Sequence, residues 1–251
     1  MSVLKEFIKK AAYAVAPAWL ANVDGKWWAA KQARALRHQC HNSTRLDDVI
    51  GAVMTNAVFH PDQKQIEIKK LLEILRDNPP SRVCEIGARR GGTLILFAHV
   101  AAPDARIISL DIDYTPLQIK LNHYFTRARQ ELYALRADSH AASTLSQVQQ
   151  WLAGQPLDFL FIDGDHSGAG VRRDFEMYAP LVRSGGIIAF HDIVADYKTR
   201  FGTPTRSNVG QVPAFWADLK TKGFHTEELI EDPDQDGMGI GIIRWQGTTG
   251  I

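Results

Sequence analysis

The chain has 251 residues, of which 45% are hydrophobic and 23% are charged, and its formal net charge at pH 7 is +1. This length and balance predict one folded α/β-sized domain with room for a small addition. The near-neutral charge argues against nucleic acid as a partner, and no run of residues is long and apolar enough for stable membrane insertion. Two cysteines far apart, Cys40 and Cys84, favour a reducing, cytoplasmic setting.

Residues 1–60 are predicted to form a helical extension that contains no strand. Within it, residues 1–16 alternate lysines such as Lys9 with apolar residues in an amphipathic pattern. Packing on its own domain or on a second copy of the chain suits this helix better than the alternative, a membrane surface. We therefore expect residues 1–60 to be a cap or homodimer contact and residues 61–251 to be the main domain.

After a predicted helix over 63–76, strands and helices alternate along the chain. Strands are predicted over 82–87, 106–113, 132–137, 157–163 and 186–190, and helices over 92–102, 116–131, 141–152, 171–181 and 213–222. A loop over 196–210 precedes the last of these helices. Candidate strands near 226–229 and 239–245 follow without an intervening helix and predict an antiparallel hairpin. Continuous apolar strands that alternate with helices predict a mostly parallel sheet covered on both faces.

A glycine turn follows the first predicted strand, in the sequence Glu85-Ile86-Gly87-Ala88-Arg89-Arg90-Gly91-Gly92-Thr93. Glycines let the backbone approach a ligand closely, and the start of the next helix offers free N–H groups. The spacing is neither that of an NTPase phosphate loop nor that of a dinucleotide fingerprint. A tight turn with no ligand is the alternative.

The next two strands also end in carboxylates. Asp111 ends the second strand, about twenty residues after the turn, where nucleoside-binding folds place an acceptor for a ribose hydroxyl. Asp113 is a competing candidate beyond the strand end. The third strand ends at Asp138 and Ser139. Because ligands bind at the carboxyl ends of parallel strands, these residues are candidates for one nucleoside site.

Aspartates and histidines cluster after two further strands. Asp163, Asp165 and His166 follow a strongly apolar strand, and His191 and Asp192 follow the next one. Such groups at neighbouring strand ends suit metal binding or acid–base chemistry. The alternative is that Asp165 and His166 cap the following helix. Other histidines, including His140, are interpreted as surface or packing residues.

Together these motifs resemble class I S-adenosylmethionine (SAM)-dependent methyltransferases. They are most similar to the subgroup of sugar and natural-product O-methyltransferases and cephalosporin-hydroxylase-like proteins, over about 83–193. The resemblance implies a Rossmann-like sheet of seven strands, mostly parallel with a terminal antiparallel strand, and SAM as the cofactor. The positions that it assigns to cofactor binding are Glu85, Gly87, Arg89, Gly91, Gly92, Thr93, Asp111, Asp138, Ser139 and Asp163.

The resemblance also implies a divalent metal, usually Mg²⁺, at Asp163, His191 and Asp192. His191 stands where relatives often carry a carboxylate, and Mg²⁺ prefers oxygen ligands. Weak Mg²⁺ binding, another divalent metal and no metal are therefore alternatives. The catalytic base is predicted to be His166, whose unperturbed pKa lies near neutrality, with Asp165 as the other candidate.

The predicted reaction is methyl transfer from SAM to a hydroxyl group of a small molecule, such as a sugar or a natural-product-like acceptor. An N-methyltransferase on the same fold is one alternative, since the fold does not fix the acceptor. A SAM-binding protein without catalysis is the other, with His191 as the sign of a lost metal site.

Overall fold

The computed structural model of the protein describes residues 23–247, which form a seven-stranded sheet in the order β3-β2-β1-β4-β5-β7-β6. The strands are β1 Arg82–Ile86, β2 Arg106–Asp111, β3 Glu131–Arg136, β4 Leu157–Ile162, β5 Val182–His191, β6 Thr226–Leu229 and β7 Ile240–Arg244. Strand β7 pairs antiparallel with β5 and β6, and all other pairs are parallel. The predicted fold class is confirmed.

Helices flank this sheet on both sides. They are α1 Val23–Asn42, α2 Leu46–Met54, α3 Gln65–Asp77, α4 Gly92–Val100, α5 Pro116–Asn122, α6 Ala142–Leu152, α7 Gly168–Tyr178, α8 Tyr197–Phe201 and α9 Val212–Thr221. None of the helices within residues 23–247 is long and apolar enough to cross a membrane. The amphipathic segment predicted over 1–16 lies outside the described residues.

Alternate side chains of the central strands pack into two cores. Phe159 and Phe161 of β4 face one core, which also takes in helices α1 to α4, whereas Leu160 and Ile162 face the other core with α7 and α9. This alternation follows from the pleat of a strand that is covered on both faces. Val53 of α2 is fully buried in the first core. Residues 23–54 of the predicted extension therefore share this core and pack mainly on helices of the main domain.

Three elements differ from the prediction in ways that matter for the fold. The helix predicted over 116–131 ends at Asn122, because the following chain turns to place Phe125 against Phe59, with ring centroids 4.9 Å apart. Strand β5 begins four residues early, where its register with β4 shifts. The loop predicted over 196–210 contains the short helix α8, which Asp196 caps by accepting a hydrogen bond from the backbone N–H of Thr199.

The parallel order of β1, β4 and β5 brings the predicted motifs to one edge. Ile86 pairs with Ile162, and Ile162 pairs with Phe190. The chain leaves the sheet directly after Ile86 and Ile162, and on β5 it leaves one residue further on, after His191. The glycine turn and the two aspartate–histidine motifs therefore meet at the carboxyl edge of the sheet, the usual ligand position in this architecture.

Candidate functional site

The glycine turn after β1 packs directly against the loop after β4. Gly87 has φ 87°, and a Cβ atom at this position would lie 1.9 Å from the carbonyl oxygen of Asp163. Only glycine fits such a close backbone approach. Gly91, with φ 82°, stands at the N-terminus of α4. Between them, the backbone N–H of Arg89 donates to Asp111 Oδ2 at 2.6 Å, so the turn and the end of β2 are fixed together.

Glu85 lies beneath this turn and is completely buried. Its Oε2 accepts a hydrogen bond from Ser109 Oγ at 3.4 Å, and Ser109 Oγ lies 2.7 Å from the hydroxyl of Tyr114. Asn122 Nδ2 donates to the same tyrosine hydroxyl at 3.1 Å. Burial raises the pKa of Glu85 to about 8. Glu85, a predicted cofactor-binding residue, is thus the first member of a buried chain of hydrogen-bonded side chains next to the glycine turn.

Asp138 and Ser139, two of the predicted cofactor-binding residues, belong to a second cluster. Ser139 Oγ donates to Asp174 Oδ1 at 2.6 Å, and His140 Nε2 lies 3.2 Å from the same oxygen. Asp138 Oδ1 accepts from the backbone N–H of His140 at 2.8 Å. His140, interpreted from the sequence as a surface or packing residue, is partly buried and packs against the buried Asp174 of helix α7.

The predicted metal residues converge in space. His191 Nδ1 lies 3.2 Å from Asp163 Oδ1 and 3.5 Å from Asp192 Oδ1. One donor atom from each of the three side chains lies within 4.8 Å of the others. Asp192 leaves the strand with φ 63°, which turns its carboxylate back toward the group. The arrangement has the proximity that ligands of a single cation need.

The donors are two carboxylates and one imidazole, and this set fits a divalent cation. A ring nitrogen among the ligands suits transition-metal ions better than Mg²⁺, which prefers oxygen throughout. His191 Nε2 is buried and lacks a hydrogen-bond partner among the residues that the structure describes. Nδ1 is thus the nitrogen that faces the carboxylates, and it is the atom through which His191 would bind a cation.

Electrostatics hold this cluster in a charged form. Burial by itself would raise the pKa of Asp163, but the charge and hydrogen bonds of His191 and His166 bring it well below its usual range. In return, the hydrogen bond to Asp163 raises the pKa of His166 to about 9. The reason for choosing His166 from sequence, a pKa near neutrality, is therefore wrong. In the ligand-free protein this ring carries a proton at neutral pH.

The geometry separates His166 from Asp165. His166 Nε2 lies 3.4 Å from Asp163 Oδ1, beside the three candidate metal ligands, whereas its Nδ1 lies 2.6 Å from the carbonyl oxygen of Asn208. The carboxylate of Asp165 accepts a hydrogen bond from the backbone N–H of Ser167 at 2.8 Å, at the start of α7. Asp165 thus contacts the backbone just before α7, whose capping residue is Ser167, and His166 faces the cluster.

Gln63 is a member of the site that no sequence motif indicated. It precedes α3 and is only 4% exposed, and its Nε2 donates to Asp163 Oδ2 at 2.8 Å. The two residues are 100 positions apart. A polar residue just before an amphipathic helix is ordinarily interpreted as a helix cap or a loop residue. The sequence therefore gave no indication of the contact between Gln63 and Asp163.

Comparisons with known proteins address this site directly. A family described as a methyltransferase domain matches residues 84–193, the stretch that contains the glycine turn and the aspartate–histidine cluster. Residues 84–193 carry a methyltransferase domain. The family predicted from the sequence is therefore confirmed.

The chain is similar to a curated protein and to solved structures, and it spans about half the length of the curated relative. It is 29% identical over 126 residues to the rhamnosyl O-methyltransferase of Mycobacterium leprae (strain TN), an alignment that covers 48% of this chain and 52% of that protein. Its fold is similar to that of the O-methyltransferase TomG from Streptomyces achromogenes, solved with SAM, at 15% identity and TM-score 0.58. That comparison covers 82% of this chain and 92% of TomG.

A third relative was solved with a metal ion. The MycE methyltransferase of the mycinamycin biosynthetic pathway, in complex with Mg, S-adenosylhomocysteine (SAH) and mycinamycin VI, is 20% identical at TM-score 0.52. The similarity covers 80% of this chain and 54% of MycE. At these levels of identity the solved structures show the fold of the chain.

Proposed function

We propose that this methyltransferase transfers the methyl group of SAM to a hydroxyl group of a sugar or a sugar-bearing small molecule. The observation that carries the proposal is the position of His166 Nε2, 3.4 Å from Asp163 and beside a cluster that can hold a cation. Hydroxyl groups are poor nucleophiles, and a base next to a cation site is what their activation needs. The rhamnosyl O-methyltransferase among its relatives supports a sugar acceptor.

The carboxyl edge of the sheet is the proposed SAM site. The glycine turn, with Gly87, Arg89, Gly91, Gly92 and Thr93, would bring backbone N–H groups close to the ligand. Asp111 would accept from the ribose, and Asp138 and Ser139 would contact the adenine ring. SAM supplies a methyl group on a positively charged sulfur, which leaves as a neutral thioether after transfer.

His166 is the proposed catalytic base. The carbonyl of Asn208 keeps a proton on Nδ1, so the neutral ring has its free electron pair on Nε2. Nε2 takes the acceptor's hydroxyl proton, and the oxygen forms its new bond to the methyl carbon as the carbon–sulfur bond breaks. Asp163 stays ionised and stabilises the imidazolium that results.

Asp163, His191 and Asp192 are the proposed ligands of a divalent cation. Such an ion would make the acceptor's oxygen more acidic and orient it. It would also offset the negative charge of the two carboxylates that surround His166. Both effects favour an oxygen acceptor, whereas no observation at the site favours the alternative of an amine acceptor.

The domain organisation is a further part of the proposal. Residues 61–251 would carry the SAM site, and residues 1–60 would select the acceptor or contact a second copy of the chain. Helices α1 and α2 pack on helices of the main domain, so this part of the extension would act from a fixed position. Analytical ultracentrifugation of the full chain tests the homodimer.

Calorimetry followed by an acceptor screen tests the proposed function. We expect micromolar binding of SAM and SAH, and transfer of a labelled methyl group to rhamnosides or other glycosides that Mn²⁺ or Mg²⁺ stimulates and a chelator reduces. Asp192→Asn should remove the metal effect and leave SAH binding intact. Binding of SAM without transfer to any acceptor would favour the non-catalytic alternative. Failure to bind SAM or SAH would refute the function.

A further inference from the structure

The amide of Gln63 has a defined orientation in the site. Its side chain is 4% exposed and lies 2.8 Å from Asp163 Oδ2. Because a carboxylate accepts hydrogen bonds and cannot donate them when ionised, the NH₂ group of the amide must face it. The carbonyl oxygen Oε1 therefore points elsewhere.

That carbonyl oxygen is an unused acceptor. Gln63 Oε1 is buried and makes no hydrogen bond within residues 23–247. Native proteins rarely leave a buried polar atom unpaired, and such an atom commonly marks the place of a bound molecule or a functional group. Beside a strand edge where a ligand is expected, an unpaired acceptor predicts a ligand donor.

Gln63 lies beside the glycine turn as well as beside Asp163. The preceding segment, residues 59–62, packs on that turn: a Cβ atom on Gly92 would lie 2.1 Å from the carbonyl oxygen of Phe59. Asp62 forms an ion pair with the side chain of Arg89 in the same turn. The segment holds Gln63 between the turn and Asp163, so its free oxygen borders the proposed SAM site.

The chemistry of the neighbours defines the donor. A neutral carbonyl oxygen next to an ionised carboxylate is suited to a cationic group with several N–H donors. SAM and SAH both carry such a group, the ammonium of their amino-acid end. A divalent cation can also be coordinated by an amide oxygen. Binding of the ammonium group and binding of a cation can be distinguished by experiment.

We propose that Gln63 is a specificity residue for the cofactor, which fixes Asp163 through Nε2 and accepts a hydrogen bond from the ammonium group of SAM through Oε1. The inference rests on the proposed function and adds a residue outside the matched stretch 84–193. It implies that segment 59–63, at the start of the main domain, forms the wall of the cofactor site at its amino-acid end.

Paired nucleoside titrations test the proposal. SAH has the ammonium group, whereas 5′-methylthioadenosine keeps the adenosine and thioether but lacks the amino-acid end. In calorimetry with chelator present, Gln63→Leu is expected to weaken SAH binding at least tenfold and to change methylthioadenosine binding less than twofold. Gln63→Met serves as a second variant, and thermal unfolding verifies that each variant folds.

Gln149→Leu is the matched control, because Gln149 is exposed on α6, and it should bind both nucleosides like the wild type. Equal weakening of the two nucleosides by Gln63→Leu, or unchanged SAH binding, would overturn the role of Gln63. The role of Gln63 would also be overturned if Gln63→Leu lost Mn²⁺ binding and bound SAH like the wild type. A wild-type protein that binds neither nucleoside would instead refute the proposed function.

Discussion

His166 Nδ1 lies 2.6 Å from the backbone carbonyl oxygen of Asn208. A carbonyl oxygen only accepts, so Nδ1 donates in both the neutral and the charged form of the ring. The proton that the ring gains or loses is therefore on Nε2, the nitrogen that faces Asp163. A contact from the loop between α8 and α9 thus determines which atom of His166 can act as a base.

We expect His166→Ala to lower turnover on an accepted glycoside by about 10²- to 10⁴-fold, the usual contribution of a general base. Its SAH affinity should stay within a few-fold of the wild type. Asn208→Ala should retain turnover, since the contact to His166 is made by the backbone. Initial rates and calorimetry on both variants measure this. Substantial turnover by His166→Ala would exclude the ring as the base.

The buried carboxyl of Glu85 should make stability depend on pH. Burial raises its pKa from 4.5 to about 8 in the folded protein. Between these values only the unfolded chain releases the proton, so the free energy of unfolding falls as pH rises through this window. Above pH 8 the folded protein also loses the proton, and the loss of stability levels off.

Glu85→Gln removes this titration and should gain stability relative to the wild type as pH rises from 5 to 8. Between pH 5 and pH 8 the free energy of unfolding of the variant should rise relative to that of the wild type by about 3–5 kcal/mol, at about 1.4 kcal/mol per pKa unit. Urea unfolding of the SAM-free protein at both pH values measures it. Glu176→Gln on the exposed face of α7 is the control. A difference that does not change with pH would contradict the prediction.

Much of the sheet could be predicted because each central strand is buried on both faces. Strand β4 was predicted over 157–163 and ends at Ile162, since its apolar run has no polar face to confuse the pattern. The helix after β2 was predicted nine residues too long, from Asn122 to 131. Its end depends on Phe125 packing against Phe59, a tertiary contact that local periodicity does not encode.

The candidate site also has residues that the sequence could predict and residues that it could not. Asp163, His191 and Asp192 could be expected to meet, because strands β4 and β5 are parallel neighbours and both motifs leave the same edge. Gln63 could not, since it approaches Asp163 from a distant segment with no motif. The pKa of His166 could not either, because it depends on which carboxylate the folded chain places beside the ring.

Gly92 should tolerate no side chain, whereas Gly51 should. A Cβ atom on Gly92 would lie 2.1 Å from the carbonyl oxygen of Phe59 and 2.8 Å from Pro61 N, and both neighbours are backbone atoms. We expect Gly92→Ala to cost about 1–3 kcal/mol and to weaken SAH binding. No atom lies within 4 Å of a Cβ on Gly51 in α2, so Gly51→Ala should stabilise by about 0.5–1 kcal/mol. Denaturant titrations measure the free energy of unfolding of both variants. If both substitutions changed it in the same direction, the packing of residues 59–62 on the turn would be contradicted.

His191→Glu should shift the metal preference toward Mg²⁺. The substitution replaces the nitrogen donor with oxygen, which Mg²⁺ favours. Without metal it places three carboxylates together in a buried position, where an uncompensated charge costs about 3–5 kcal/mol. The melting temperature of the metal-free variant should therefore fall well below that of the wild type. Saturating Mg²⁺ should then restore more stability to the variant than to the wild type, because an ion that binds only the folded state at 100 times its Kd contributes about 2.7 kcal/mol.

Thermal unfolding with chelator, Mg²⁺ or Mn²⁺ measures this preference. His225→Glu, at an exposed histidine, is the control and should respond to Mg²⁺ like the wild type. If Mg²⁺ raised the melting temperatures of His191→Glu and wild type equally, the side chain at position 191 would not be a ligand. Asp163 and Asp192 are present in both proteins, so a difference in the Mg²⁺-induced shift of the melting temperature reports on the donor at position 191 alone. A larger Mg²⁺ response in the variant would therefore mean that the imidazole of His191 sets the selectivity of the site against Mg²⁺.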